Sequence, residues 1–209
     1  ACLVGSEMCI RDRSSIAYSN TKKATSQAKK LGFTTTEFYD KDGAQAYRFM
    51  NKTDIVIACR GTQPNEFNDI RADLRAVPVM AETVGKVHLG FKQEVDDLWP
   101  MVCEDINRKT NLKKHLWFCG HSLGAAMATI MASRCLHNVE LNDPVELHTY
   151  GSPRVGWRKY VNSLGVTHHR WVNNNDIVTG VPLWIMGYVH HGEKHYINAV
   201  SYTHLTLPT

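Results

Sequence analysis

The pentapeptide GHSLG at residues 120–124 is the segment of this sequence best suited to covalent chemistry. It follows the apolar run HLWFCG and precedes an Ala/Met-rich stretch, which predicts a strand before Ser122 and a helix after it. In that context a G-x-S-x-G motif predicts a nucleophile elbow, a sharp turn that exposes the serine hydroxyl at the end of a sheet. The amino end of the helix would favour negative charge there. The alternative is a glycine-flanked serine that only caps the helix.

The composition restricts the classes of protein to which the chain can belong. Of its 209 residues, 43% are hydrophobic and 21% are charged, which suits a folded core and disfavours a disordered chain. The net charge is +4 without a block of like charges, so we expect no nucleic-acid partner. No apolar run approaches the ~20 residues of a membrane span, so no transmembrane segment is expected. The six cysteines lack C-x-x-C spacing, which argues against a disulfide framework.

Strands and helices are expected to alternate around the elbow. An amphipathic helix is expected within SSIAYSNTKKATSQAKKLGF and should end before Gly32, and two strands, AQAYRFM and DIVIACRG, should follow a turn at Asp42-Gly43. The later helices are expected at residues 90–108, residues 122–136 and VGWRKYVNSLG, and the later strands at HLWFCG, VELHTYG and HHRWVN. This order predicts an α/β fold with a mostly parallel central sheet and helices on both faces.

Several blocks beyond the elbow resemble the fungal-type, or class 3, lipases of the α/β-hydrolase fold. In chain order they are IACRGT, IRADLRAVPV, KVHLGF, GHSLG, YGSPRVG, NNNDIVTGVP and GYVHHGEKHYIN. The last block resembles a hairpin that follows the catalytic acid in the family. The resemblance covers residues 14–198 and implies a serine carboxylic-ester hydrolase that forms an acyl-enzyme on Ser122.

The resemblance also implies an acid and an oxyanion hole. The triad of this fold follows the order Ser, Asp, His, and Asp176 occupies the place of the family's acid in NNNDIVTGVP. Asp143 is the runner-up, although Asn142-Asp143-Pro144 reads as a plain turn. The N–H of Leu123 would supply one oxyanion donor, and Thr62, after Arg60-Gly61, is the other that the resemblance assigns.

Residues 63–71 lie where the family carries a mobile lid, so the resemblance implies a lid there. Phe67 and Ile70 are its chief apolar residues and are spaced to share one helix face. Because the stretch is short and weakly amphipathic, a fixed loop, as in an esterase with little interfacial activation, remains an equal alternative.

The triad histidine is harder to place. His190, His191 and His195 follow Asp176 in the chain, but in the family the histidine of a GYVH-like block is not the base, which comes from a later segment. No such segment precedes Asn198, so we expect the base to lie beyond that residue. His191 and His195 are four apart and could suggest a metal pair, but the hairpin pattern breaks helical spacing and no third ligand is apparent. No metal site and no cofactor are therefore expected.

The two ends of the chain resemble translated sequencing-adapter sequence. Both LVGSEMCIRD and VSYTHLTLPT can be back-translated into adapter-like DNA, one for each end of a library fragment. We therefore expect residues 1–13 and 199–209 to be non-native, and residues 14–198 to form an α/β-hydrolase domain that is incomplete at its carboxyl end.

The expected partner is a triacylglycerol or another lipid or carboxylic ester, met at a lipid–water interface if the lid is mobile. A feruloyl or phospholipid esterase on the same scaffold is a neighbouring alternative. A non-catalytic binding module of the same fold is a third, disfavoured by the presence of Ser122, Asp176 and the Arg-Gly-Thr block together.

Overall fold

The structure, a computed structural model, describes residues 16–61, 76–173 and 176–197. Its strands are β1 (Thr35–Lys41), β2 (Ala44–Met50), β3 (Asp54–Arg60), β4 (Pro78–Met80), β5 (Lys86–His88), β6 (His115–His121), β7 (Pro144–Tyr150), β8 (Gly156–Trp157), β9 (Thr167–Asn173), β10 (Tyr188–Val189) and β11 (Glu193–Ile197). Its α-helices are α1 (Thr21–Lys30), α2 (Leu89–Ile106), α3 (Leu123–Leu136) and α4 (Arg158–Asn162), and two short 3₁₀ helices span Ile177–Gly180 and Trp184–Met186.

The central sheet of the described residues has seven strands in the order β1-β2-β3-β6-β7-β9-β11. The first three strands are antiparallel neighbours, whereas β3, β6, β7, β9 and β11 are all parallel. The parallel strands therefore end at one edge of the sheet, where α/β proteins place their ligands. The prediction of a mostly parallel α/β sheet is confirmed.

Helices cover both faces of this sheet, as expected. On one face, Ala24 and Ala28 of α1 pack with Phe49, Val56 and Cys119 in a buried cluster. The other face holds the larger cluster, which includes apolar residues of α2, α3 and α4. Helix α3 is buried along almost its whole length, which explains why its sequence is apolar on every side instead of along one stripe.

Most element boundaries lie close to those expected from the sequence. The helix α1 is capped by the Asn20 side chain, which accepts a hydrogen bond from the Lys23 N–H, and it ends before Gly32 as predicted. The Asp42-Gly43 turn also forms, but it joins AQAYRFM to an additional strand, β1, so three strands stand where two were expected.

Two expectations for the second half of the chain are wrong. Only Arg158–Asn162 of VGWRKYVNSLG is helical, because Gly156 and Trp157 form β8 and pair with β10 in a second, four-stranded sheet of order β10-β8-β5-β4. GYVHHGEKHYIN is likewise not a hairpin. Its first part is β10 in the small sheet, and its second part is β11, which pairs in parallel with β9 in the central sheet.

Cys59 and Cys119 are buried, and the four cysteines in the described ranges are free thiols. Across the same ranges, every helix is either too short or too polar to span a lipid bilayer.

Candidate active site

Ser122 stands at the sharp turn between β6 and α3. Its backbone has φ 57° and ψ −126°, a conformation that L-residues rarely adopt. Such a conformation costs on the order of 1–3 kcal/mol and persists only where the surrounding fold enforces it. The Ser122 N–H donates to the carbonyl of Tyr150 at 3.0 Å, which ties the turn to the end of β7. The residue is 3% exposed, and its Oγ has no hydrogen-bond partner within the described part of the chain.

The two glycines of the motif are required by close backbone contacts. A Cβ atom at Gly120 would lie 2.2 Å from the carbonyl oxygen of Gly124, and one at Gly124 would lie 2.3 Å from the carbonyl oxygen of Cys59. Real Cβ atoms do not approach backbone this closely, so any side chain at either position would push α3 away from the sheet. The strand-turn-helix context predicted from the sequence is therefore the one observed.

The predicted oxyanion donors are described in part. Leu123 is the first residue of α3, and the first N–H groups of a helix have no acceptor within the helix. Gly61 approaches the elbow, because a Cβ atom there would lie 2.5 Å from the His121 carbonyl oxygen and 3.2 Å from the Gly124 nitrogen. Thr62, the second predicted donor, lies outside the described residues, as do residues 63–71, where a lid was expected.

Asp176 lies beyond the end of β9, at the same edge of the sheet as Ser122. Its side chain accepts a hydrogen bond from the Val178 N–H at 2.9 Å and caps the short 3₁₀ helix that follows. The other carboxylate oxygen, Oδ2, is 2.5 Å from the point that a Cβ atom of Gly151 would occupy. Since Gly151 directly follows Tyr150, whose carbonyl binds the Ser122 N–H, the structure places the predicted nucleophile and the predicted acid at the ends of nearby strands.

The runner-up acid, Asp143, is not part of this arrangement. It is exposed and precedes β7, at the end of that strand opposite to Tyr150. Because β6, β7 and β9 are parallel, their starts lie a full strand length away from the elbow.

A contact that the sequence analysis missed supports the elbow from the amino-terminal side. The hydroxyl of Tyr18 lies 3.0 Å from Nδ1 of His121, and the two rings meet edge to face. Desolvation raises the pKa of Tyr18 to about 12, so this phenol stays protonated. Tyr18 falls in the stretch that was expected to belong to the first helix, and no spacing rule links it to a residue a hundred positions away. Only the fold brings them together.

His121 itself lies near the acid. Its Nε2 is 3.6 Å from the same Gly151 Cβ position that Asp176 Oδ2 approaches. Desolvation lowers the pKa of His121, and the negative charge of Asp176 opposes that shift. No hydrogen bond joins His121 to Ser122 Oγ, which has no partner among the described atoms.

The three histidines that follow Asp176 make other contacts. His190 Nε2 lies 2.8 Å from the Thr179 carbonyl. His191 Nδ1 lies 3.0 Å from Nδ1 of His168. His195 Nε2 lies 3.0 Å from Nδ1 of His169. None of the three bonds to Ser122 Oγ, so the described residues supply no imidazole in the position of a general base.

Comparison with known proteins agrees with this geometry. The family profile described as Lipase (class 3) matches residues 56–186, a range that includes β3, the elbow and Asp176. A lipase of Rhizomucor miehei is 32% identical over 185 residues, which cover 83% of this chain and 50% of that protein. The secreted mono- and diacylglycerol lipase A of Penicillium cyclopium is 34% identical over 110 residues, covering 48% of this chain and 35% of that protein.

A solved structure described as a triacylglycerol lipase whose catalytic centre is a serine protease triad has the same fold. It superposes with a TM-score of 0.79 at 23% identity, covering 95% of this chain and 82% of the other. The chain spans about half the length, or less, of the curated relatives it matches. With the profile matching more than half of its residues, this chain belongs to the class 3 lipases.

Proposed function

We propose that the chain carries the nucleophile and the acid of a serine carboxylic-ester hydrolase of the lipase type. The observation that carries the proposal is the elbow, which holds a buried serine hydroxyl, without a hydrogen-bond partner in the described structure, at the amino end of α3. A buried hydroxyl without a partner costs free energy of about 1–3 kcal/mol. A fold that retains one in a strained backbone conformation is typical of a reactive site.

In the proposed reaction, Ser122 Oγ attacks the ester carbonyl and transfers its proton to an imidazole base. The N–H of Leu123 and the residue Thr62 stabilise the oxyanion that forms, a contribution of about 2.7–4 kcal/mol for each donor. The protonated base then gives its proton to the departing alcohol, which leaves an acyl-enzyme on Ser122. Water, deprotonated by the same base, attacks this acyl-enzyme, and the base returns the proton to Ser122 Oγ as the carboxylic acid is released.

Asp176 is the proposed partner of the base. Its Val178 hydrogen bond fixes one carboxylate oxygen, which leaves Oδ2 to receive an imidazole N–H above Gly151. In this role the carboxylate selects the imidazole tautomer and stabilises its positive charge without taking the proton.

The base itself we assign to the chain beyond Asn198, because no described imidazole bonds to Ser122 Oγ. His204 belongs to the adapter-like tail and is not proposed as the base. The test compares the 209-residue chain with one that continues past Asn198 in its natural sequence. Hydrolysis of p-nitrophenyl butyrate by the longer chain, and its absence in the shorter one, is the expected result. Equal turnover by both chains, lost on His204→Ala or His121→Ala, would overturn the assignment.

The substrate we propose is a lipid ester met at a lipid–water surface. Four consecutive apolar residues, Leu183 to Met186, are each 46–75% exposed on the connection that follows Asp176. Lys86 and Arg158 line a pocket of about 560 Å³ together with Trp184, so basic and aromatic groups adjoin this apolar segment. An apolar surface with a basic rim suits a bilayer or an emulsion of anionic lipid.

This substrate assignment is tested with one ester in two physical states. The longer chain should hydrolyse tributyrin faster above its solubility limit than below it, and Trp184→Ser should reduce the rate on the emulsion without changing the rate on dissolved ester. If Trp184→Ser lowers both rates equally, the segment has no role in surface contact. A preference for feruloyl esters over glycerides would favour the alternative esterase.

A further inference from the structure

The carboxyl-terminal half of the central sheet brings together five ligand-type side chains that lie far apart in the sequence. Strand β7 contributes Glu146 and His148, β9 contributes His169, and β11 contributes Glu193 and His195. The strand register explains the arrangement, because His148 is paired with His169, and His169 is paired with Glu193. Residues two apart on a strand share a face, so all five side chains project from one face of the sheet.

Two overlapping groups of three ligands share His169. In each group the possible ligand atoms lie within 4.8 Å of one another: Glu146, His148 and His169 form the first group, and His169, Glu193 and His195 form the second.

Two separations in the second group lie on either side of the value expected for a tetrahedral metal ion. His169 Nδ1 is 3.0 Å from His195 Nε2, and His195 Nε2 is 3.9 Å from Glu193 Oε2. With bonds of about 2.0–2.1 Å to nitrogen and oxygen, tetrahedral ligands stand about 3.4 Å apart, a value between these two. We propose that His169, Glu193 and His195 bind one zinc-like cation, with solvent at the fourth position.

The surroundings favour such a site. The His195 imidazole stacks on Trp171 with ring centroids 4.5 Å apart, which fixes the plane of one ligand before a metal arrives. The Glu193 side chain is 72% exposed and is free to move the short distance needed to close the group. Glu146 pairs with His148 at 2.8 Å beside this group and adds a second carboxylate near the cation. Two imidazoles with one carboxylate are ligands typical of Zn²⁺, Co²⁺ or Ni²⁺ and unlike those of Ca²⁺ or Mg²⁺.

A cation at this position would fasten the edge of the sheet. Strand β11 pairs with β9 alone among the described strands, and the connection that carries Asp176 runs between these two strands. The proposed role is therefore a clip that links β11 to β9 and stabilises the fold near the predicted acid without touching the reacting atoms. The pair considered from spacing, His191 and His195, is not the one formed, because His191 contacts His168 instead.

The test uses the 209-residue chain without a polyhistidine tag. The protein is stripped with a chelator and then titrated with zinc. We expect one zinc per chain, and a rise in Tm of about 5–10 °C at a hundredfold excess over Kd. His169→Gln and His195→Gln should each weaken binding by about 100-fold or more, and Glu193→Gln by about 10-fold or more. Glutamine keeps the size and polarity of the side chain, and circular dichroism verifies that each variant folds.

His191→Gln is the matched control, since it removes a neighbouring histidine from outside the group and should leave both affinity and Tm shift unchanged. Zinc retained by His169→Gln at the parent affinity would overturn the proposal, and so would a parent chain that binds no zinc. A loss of zinc on Glu146→Gln but not on Glu193→Gln would place the ion in the first group and also contradict it.

Discussion

The elbow and the interface beneath α2 contain buried polar groups of nearly equal exposure but of very different pairing. Ser122 is 3% exposed, and its hydroxyl is without a partner in the described structure. Asp105 on α2 is 4% exposed, yet its Oδ2 accepts hydrogen bonds from Tyr39 and Arg48, each at 2.5 Å, and its Oδ1 lies 3.2 Å from Arg108.

The difference shows how one fold can serve both chemistry and stability. At the carboxyl end of β6 the chain turns sharply, and the Ser122 hydroxyl is left without a hydrogen-bond partner among the described residues. Between a helix and a sheet no substrate enters, so a buried carboxylate there must be paired within the protein. The raised pKa of Tyr39, which results from desolvation and from its bond to Asp105, keeps this phenol a hydrogen-bond donor. Mutations in the two regions should therefore separate activity from stability.

The largest effect is expected for Ser122→Ala in the chain that continues past Asn198. Without the nucleophile, kcat should fall by about 10⁶-fold, while the urea midpoint changes little because the removed hydroxyl makes no hydrogen bond to any described residue. Ser133→Ala is the matched control, since it removes another buried serine hydroxyl of α3, one that lies 3.1 Å from the Thr83 hydroxyl and away from the elbow. Turnover by Ser122→Ala equal to that of the parent would show that the elbow is structural.

Asp176→Asn should have the next largest effect. An amide cannot stabilise the imidazolium and favours the wrong tautomer, so kcat should fall by about 10⁴-fold with little change in KM. The Val178 hydrogen bond can be kept by the amide oxygen, and stability should therefore be nearly unchanged. Steady-state kinetics with p-nitrophenyl butyrate provide the measurement. An unchanged kcat would leave Asp176 as a helix cap only.

Arg48→Ala tests the opposite region. The substitution leaves a buried carboxylate without its nearest cation, so the free energy of unfolding should fall by about 3–5 kcal/mol, with kcat unchanged in the fraction that remains folded. Arg108→Ala is the control on the same carboxylate. Because the Arg108 side chain is 59% exposed, its loss should cost no more than about 1 kcal/mol. Equal losses in urea denaturation would contradict the contrast between buried and exposed pairing.

A pH titration of stability should reveal His190. Burial, reinforced by the positive charge of Arg170, lowers the pKa of His190 to about 4. Since the unfolded chain takes up this proton near pH 6.5, its contribution to stability is complete above that pH and is lost as the pH falls toward 4. The loss should be about 2 kcal/mol at pH 5. His190→Gln should flatten this part of the profile, whereas His115→Gln, at an exposed site, should not. Identical pH profiles of stability for the two variants would be evidence against the lowered pKa of His190.

Tyr18→Phe should have the smallest effect. The change removes one hydrogen bond to His121 and keeps the ring contact, so we expect kcat to fall by about fivefold, equivalent to about 1 kcal/mol. Tyr18 is a positioning residue, and the test must therefore separate kcat from KM. A rise in KM alone would mean that Tyr18 contacts the substrate instead of supporting the elbow.

Local sequence was sufficient for the elements nearest the nucleophile. Gly120 and Gly124 indicate a close approach of strand and helix. The apolar runs on either side have the lengths of a buried strand and a buried helix. These signals are local, so a turn or an apolar run can be read without knowing what packs against it. The assignment of Asp176 came instead from the resemblance of NNNDIVTGVP to a family block, and it stays a prediction.

The pairing partners of β8, β10 and β11 could not be predicted from local sequence. Gly156-Trp157 and Tyr188-Val189 are too short to have a period of their own, and they become strands only because each pairs with the other. The part of GYVHHGEKHYIN that looked like the return strand of a hairpin instead joins β9, since register across a parallel sheet depends on packing over many residues.

By itself, the sequence determined the α/β fold and the nucleophile elbow, because alternating apolar runs and the two glycines around Ser122 each demand one local structure. Asp176 was assigned through the family resemblance and stays a predicted acid. Only the tertiary structure decided which distant side chains meet. It set Tyr18 against His121, joined Asp105 to Arg48, and placed His169 between β7 and β11 with Glu193 and His195. Such contacts depend on strand order and register, which arise from the burial of whole faces and leave no mark in the spacing of any one segment.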